Sequence, residues 1–264
     1  MQMRRSTLFW GGILILVGIL LLLNNLGIFN VNIWSILWPL LLIAFGLWIL
    51  VNSIWRPKNL TEHASVPLEG ARSASLRFQH GAGRLELTSG ASGDTAMEGD
   101  FSGGLDLSQR RTGDELDLVL AAPVNIPFGG PEFGNNWSVR LASGVPYRLT
   151  LNTGAGESRL DLRDLQVTHL EISSGASSTD LTLPERAGFT RAKISTGAAS
   201  VTVRIPQGVG AYIRTRGALS SFNVPTGVFT RVDDTYVTPG YQDAPNRVEL
   251  DIETGVGSVE ILMI

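Results

Sequence analysis

Six stretches of this chain repeat one plan: an alternating apolar–polar run, a glycine followed by a small residue, and a second alternating run. They read LRFQHGAGRLEL (76–87), LTLNTGAGESRLDL (149–162), LEISSGASSTDLTL (170–183), AKISTGAASVTVRI (192–205), YIRTRGALSSFNV (212–224) and LDIETGVGSVEI (250–261). Period-two alternation is the mark of a strand with one buried face. Gly154, Gly175, Gly197 and Gly217 follow one another at intervals of 21, 22 and 20 residues. A fixed period of that length is characteristic of a solenoid, and a hairpin meander is the alternative. The expected fold is a β-solenoid of about 20–22 residues per coil, roughly eight or nine coils in all. Its coils would stack about 4.8 Å apart with Leu, Ile and Val inward. Gly81, Gly154, Gly175, Gly197, Gly217 and Gly255 are the expected corners. Gly154, Gly175 and Gly197 should hold positive φ or permit close packing there.

Gly-rich turns also cradle phosphates, so GAGESR and GAGRLE need a second reading. A dinucleotide fingerprint needs a third glycine, a strand before it and a helix after it. Here the third glycine is missing and more strand pattern follows, so the corner reading prevails.

Two segments interrupt the period. The first lies between Gly81 and Gly154. It holds a hairpin pattern, LDLSQRRTGDELDLVL, with Arg110 to Gly113 near its turn, and the irregular stretch PVNIPFGGPEFGNNW (123–137). The second, between Gly217 and Gly255, contains the irregular stretch 227–246. Interface energy concentrates in aromatic and arginine side chains. Phe128, Phe133, Trp137, Phe229, Tyr236 and Tyr241 are therefore the candidate protein contacts, against the alternative that they cap the coil from inside. The closing SVEILMI (258–264) is apolar. It is expected to bury as a final coil or to pair with a second copy.

The first 56 residues differ in kind. Residues 8–23 and 33–51 are apolar runs without a charge. Each approaches the roughly 20 residues that cross a bilayer core. Several of Trp10, Trp34, Trp38, Trp48 and Trp55 fall where interfacial tryptophans sit. A basic start, MQMRR, raises the question of a cleaved leader, but no A-x-A site follows and a second apolar run comes at once. The expected architecture is a membrane α-helical hairpin (1–56), a linker (57–68) and an all-β domain (69–264). Arg4, Arg5, Arg56 and Lys58 flank the spans and the connecting turn has no charge, so both termini are expected in the cytoplasm. Gly11, Gly12 and Gly18 are small residues at which membrane helices can approach.

Catalytic signals are sparse. The chain has no Cys, so disulfides and thiolate metal sites are excluded. His63, His80 and His169 make no H-x-x-x-H spacing, and no G-x-S-x-G occurs. Asp114–Glu115 and Asp233–Asp234 read as turn residues. No metal, cofactor or catalytic residue is assigned, and a polysaccharide-acting β-helix enzyme is the least favoured class. A formal net charge of -3 gives no basic surface for nucleic acid.

The stretches FWGGILILVGILLLLNNLGIF and WSILWPLLLIAFGLWIL resemble the transmembrane region of LiaI/LiaF-type bacterial envelope-stress proteins. The strand–Gly-Ala–strand repeat and the closing NRVELDIETGVGSVEIL resemble the toast-rack β-solenoid domains often joined to such regions. LiaF-type proteins commonly carry more spans than the two read here. The resemblance implies a non-enzymatic, membrane-tethered regulatory module in the response to cell-wall-active antibiotics. Its implied partners are the lipid bilayer and a membrane or signalling protein, a sensor kinase among them. A self-associating scaffold, with the chain as a homo-oligomer, is the alternative.

Overall fold

In the computed structural model the chain forms two units, Met1–Lys58 and Asn59–Ile264. The structure describes residues 38, 39, 42, 43, 45 and 46 of the first unit, and 61–123, 135–225 and 227–264 of the second. The six described residues of the first unit are helical, and Trp38, Leu42, Ile43 and Phe45 among them are exposed. Among the described residues no helix is long and apolar enough to cross a membrane. The remainder of both expected spans, with their flanking Arg and Lys residues, lies outside the described residues.

The second unit is built from strands. In chain order they are β1 (Thr61–Pro67), β2 (Ser73–Ser89), β3 (Thr95–Ser102), β4 (Asp106–Thr112), β5 (Glu115–Ala121), β6 (Asn135–Leu141) and β7 (Pro146–Asp161). There follow β8 (Gln166–Thr182), β9 (Phe189–Ile205), β10 (Val209–Asn223), β11 (Thr230–Val232), β12 (Thr235–Val237) and β13 (Asn246–Met263). The six repeat stretches are the long strands β2, β7, β8, β9, β13 and β10, which stack parallel in that order. Parallel stacking rules out the meander. Among the residues between the repeats, β5 and β6 stack parallel on the two halves of β2, and the other strands add antiparallel pairs at the two ends of the stack. Among the described residues the full-length repeats therefore number six and not eight or nine. Residues 61–67, expected as part of a linker, form β1 and pair with β3.

Each long strand changes inward phase at its glycine. In β8, Leu170 and Ile172 are buried before it, and Thr179 and Leu181 after it, while Gly175 and Ala176 are exposed. Two successive outward residues bend the strand, and both halves then contribute to one continuous core. Each fully buried Leu or Ile there contributes roughly 1.5–3 kcal/mol.

The expectation of positive φ at Gly154, Gly175 and Gly197 is not met. Positive φ falls two residues further on, where the stretch has a second glycine: 136° at Gly83, 151° at Gly156 and 147° at Gly257. The first glycines serve close approach instead. A Cβ on Gly175 would lie 2.7 Å from the Gly154 carbonyl oxygen, one on Gly197 2.9 Å from that of Gly175, and one on Gly255 2.6 Å from that of Gly197. Gly154 meets the Gly81 carbonyl in the same way, whereas Gly81 itself faces open space. Gly217 stands outside this column. It pairs with Thr254, and a Cβ there would meet Ser220 and Phe222 of its own strand.

The ends are closed differently. At one end β5 and β4 continue the first half of β2, and β6, β3 and β1 continue its second half. Burial pushes the Tyr147 hydroxyl up to about 12, so it stays protonated. It donates to the Ala96 carbonyl at 2.9 Å and accepts from the Ala142 N–H at 3.1 Å, tying β7 to the cap. At the other end the C-terminal strand is not the last coil: β13 inserts between β9 and β10.

Candidate interaction surface

The outward side chains of the last three coils form a grid. In register, Arg191 of β9 stands beside Glu249 of β13 and Tyr212 of β10. Lys193 stands beside Asp251 and Arg214, and Ser195 beside Glu253 and Arg216. The central strand is acidic and its flanks are basic. Arg191 donates to Glu249 at 3.2 Å, Arg214 to Asp251 at 2.9 Å and Arg216 to Glu253 at 2.9 Å. The Tyr212 hydroxyl, and then the charge of Asp251, hold the Arg214 guanidinium further in its charged form.

Aromatic rings join this grid. Arg214 lies 5.7 Å over the Tyr212 ring and Arg191 5.7 Å over Phe189. Arg231, 5.5 Å over Tyr236, lies on the other face of the sheet, because Tyr236 pairs with the buried Ile213. Tyr212 packs against Tyr241 with centroids 5.9 Å apart. Partial burial, and then the charge of Glu249, raise the Tyr241 hydroxyl pKa, so it remains a donor at neutral pH. Tyr and Arg held by neighbours lose little freedom on binding, which suits them to anchor a protein partner.

The six candidate contacts thus separate. Tyr241 is half-buried beside the grid, against Tyr212, whereas Tyr236 on β12 pairs with the buried Ile213 and packs against the core, as a cap would. Phe229 is buried in the core, as a cap would be. Trp137 is 1% exposed in β6 and is a core residue, a correction to its place among contacts. It meets His80 at 5.0 Å and Phe101 at 5.2 Å, both edge-on. Its neighbours Asn136 and Ser138 belong to the same strand. Phe128 and Phe133 lie outside the described residues. Sequence reasoning missed Phe189, Tyr212 and Arg214. The signal was present for Tyr212 and Arg214, which alternate with the buried Ala211 and Ile213 and so must point outward.

Catalytic geometry has little to build on. His63, His80 and His169 lie on β1, β2 and β8, and only His80 is buried. Among the described residues no group of three His, Asp or Glu side chains is placed to hold a metal ion. Asp114 and Asp233 occupy hairpin turns, the latter at φ 52°.

A family model described as the N-terminal domain of toast_rack, DUF2154, matches residues 56–204, more than half of the chain. A second, described as the LiaF transmembrane domain, matches residues 9–64. Among curated proteins none matches the chain. Among solved structures, a candidate cell adhesion protein from Clostridium sporogenes is similar, with 22% identity and a TM-score of 0.72. The alignment covers 78% of this chain and 100% of that one. This likeness concerns the fold alone. A candidate adhesin from Bacteroides fragilis matches at 11% identity and a TM-score of 0.32, covering 78% and 98% of the two chains, which is too distant to bear on the fold.

Proposed function

Because this chain belongs to the toast-rack family and carries a LiaF-type transmembrane domain ahead of its β-solenoid, we propose that it is a non-enzymatic, membrane-tethered interaction module that regulates a membrane signalling protein in the bacterial envelope-stress response. The observation that carries this reading is the Arg–Tyr grid on β9, β13 and β10, joined by Tyr241. It presents anchors for a protein and no catalytic constellation. A sensor kinase of the same membrane is the candidate partner, as the LiaF resemblance implies. The reading places two spans in the bilayer with both termini cytoplasmic, on the strength of Arg4, Arg5, Arg56 and Lys58 around an uncharged turn. The exposed apolar residues Trp38, Leu42, Ile43 and Phe45 on the second run suit a lipid-facing helix.

The test is photo-crosslinking from Tyr241 and Tyr212 in native membranes, before and after treatment with a cell-wall-active antibiotic, followed by identification of the captured protein. A membrane signalling protein whose capture changes with treatment is the expected result. Capture that is independent of treatment, or of no signalling protein, overturns the regulatory reading. A reporter active only outside the cytoplasm, fused after Ile264, should be silent.

A further inference from the structure

Among the described residues the sheet has free edges at β1, β4, β11, the second half of β10 and the last three residues of β13, Ile261, Leu262 and Met263, this last guarded by its brevity. Natural sheets guard such edges with charge, proline or brevity. β4 carries Asp106, Arg110 and Arg111. β1 carries Glu62 and His63 and ends at Pro67. β11 has three residues, one of them Arg231. The second half of β10, Gly217 to Asn223, has none of these devices. On β10, β12 reaches only Tyr212, Ile213 and Arg214, and the last bond to the β11–β12 hairpin runs from the Thr215 N–H to the Asp234 carbonyl at 3.1 Å. Beyond it β10 is paired with β13 alone. No charged residue occurs between Arg216 and Arg231, and Arg216 is already held by Glu253. Leu219 and its register neighbour Val256 stand 76% and 52% exposed beside this edge.

We propose that the Gly217–Asn223 half-edge pairs with the same half-edge of a second copy, antiparallel about a two-fold axis. Such an edge is self-complementary, because the backbone groups of an antiparallel pair match whatever the side chains. The segment's neutrality favours its own copy, since no charge is set against its like and a charged peptide would find no counter-charge. The pairing also brings the exposed Leu219–Val256 pair of each copy to the joint. A joint of about seven residues a side is smaller than a stable interface in dilute solution requires. Tethering to one membrane raises the effective concentration enough for a small joint to form. The inference stands apart from the regulatory reading, since it rests on the edge and not on the Arg–Tyr grid.

The chain has no cysteine, so one introduced residue supplies the sole thiol. Full-length chains with single cysteines at Leu219, Ser220, Ser221, Phe222 or Asn223 are oxidised in their membranes and resolved without reductant. In an antiparallel pair only residues at the axis meet their own counterparts within the roughly 4.4–6.8 Å that a disulfide spans. The expected result is a disulfide-linked dimer that peaks at one position and falls away on both sides, with Ser108→Cys on the guarded β4 edge staying monomeric. Adding Leu219→Lys should remove most of the dimer while leaving the melting temperature of the chain unchanged. Crosslinking no stronger than at Ser108→Cys, equal crosslinking at every position, or capture of a different protein by the thiol overturns the proposal.

Discussion

Arg214 and Asp251 face each other across the β10–β13 pair, with the guanidinium Nη1 2.9 Å from the carboxylate Oδ1. Lys193 lies opposite the same aspartate on the other side. The relation accounts for the strand order. Packed directly on β9 in the same register, β10 would set Arg214 opposite Lys193, and like charges directly opposite disfavour pairing. The acidic outward residues of β13 resolve this by lying between the two.

Asp251→Arg is therefore expected to lower the melting temperature, because it places three cations in one row. Joining it with Arg214→Asp should recover most of the loss, since the pair is restored with its sign inverted. The side chains are half-exposed, so both effects should shrink as salt is raised. Thermal melts of the two variants at low and high salt read this directly. Equal melting temperatures for the single and double variants would refute the charge account of strand order.

The glycine column makes a sharper distinction. Gly154 and Gly175 each face a carbonyl oxygen of the preceding coil, at 2.7 Å for a Cβ on Gly175, while Gly81 faces open space. Gly154→Ala and Gly175→Ala should each cost about 1–3 kcal/mol, as overpacking does. Gly81→Ala should change stability by less than about 0.5 kcal/mol. Denaturant unfolding of the three variants decides. Equal losses at all three positions would mean that the glycines matter for their conformation and not for coil spacing.

Much of this fold is legible in the sequence, and the losses have physical causes. Period-two alternation marks the halves of the long strands, because one face of each is buried. The hairpin of β4 and β5 is legible from the Thr112–Gly113–Asp114 turn. Coil order is not legible, since β13 comes last in the chain yet lies inside the stack, placed by partners distant in sequence. Trp137 shows the same limit. Its flanks of Pro, Gly and Asn read as an irregular loop, yet Asn135–Leu141 alternates buried and exposed as a strand. The Tyr212–Arg214 grid was legible in alternation but scattered over three strands, so no local motif announces it.

Trp137 and Tyr241 should accordingly part company on substitution. Trp137→Ala removes a ring packed between His80 and Phe101 and is expected to cost about 3–5 kcal/mol. Tyr241→Ala removes a ring packed on Tyr212 at the surface and should leave the melting temperature close to that of the wild type. Its effect should appear as weaker capture of the membrane partner. A Tyr241→Ala variant that melts early would move that tyrosine to a capping role.

The last expectation concerns pH. His80 is buried beside Trp137, with its Nε2 3.0 Å from the Asn135 carbonyl oxygen. Burial lowers its pKa, and the bond to the Asn135 carbonyl pulls less strongly the other way. The unfolded chain takes up this proton near the ordinary value of about 6.5. The folded chain takes it up only at lower pH, so below about 6.5 the unfolded state binds more protons and stability falls with pH. The contribution is fully present above that value and is lost as pH falls toward the folded pKa. Glu157, held low chiefly by its bond from Arg84, titrates below the usual carboxylate range and does not enter this window. Unfolding of the wild type and of His80→Gln, compared from about pH 7.5 to about pH 5, should give a steeper decline for the wild type. Parallel declines would place the proton uptake elsewhere in the chain.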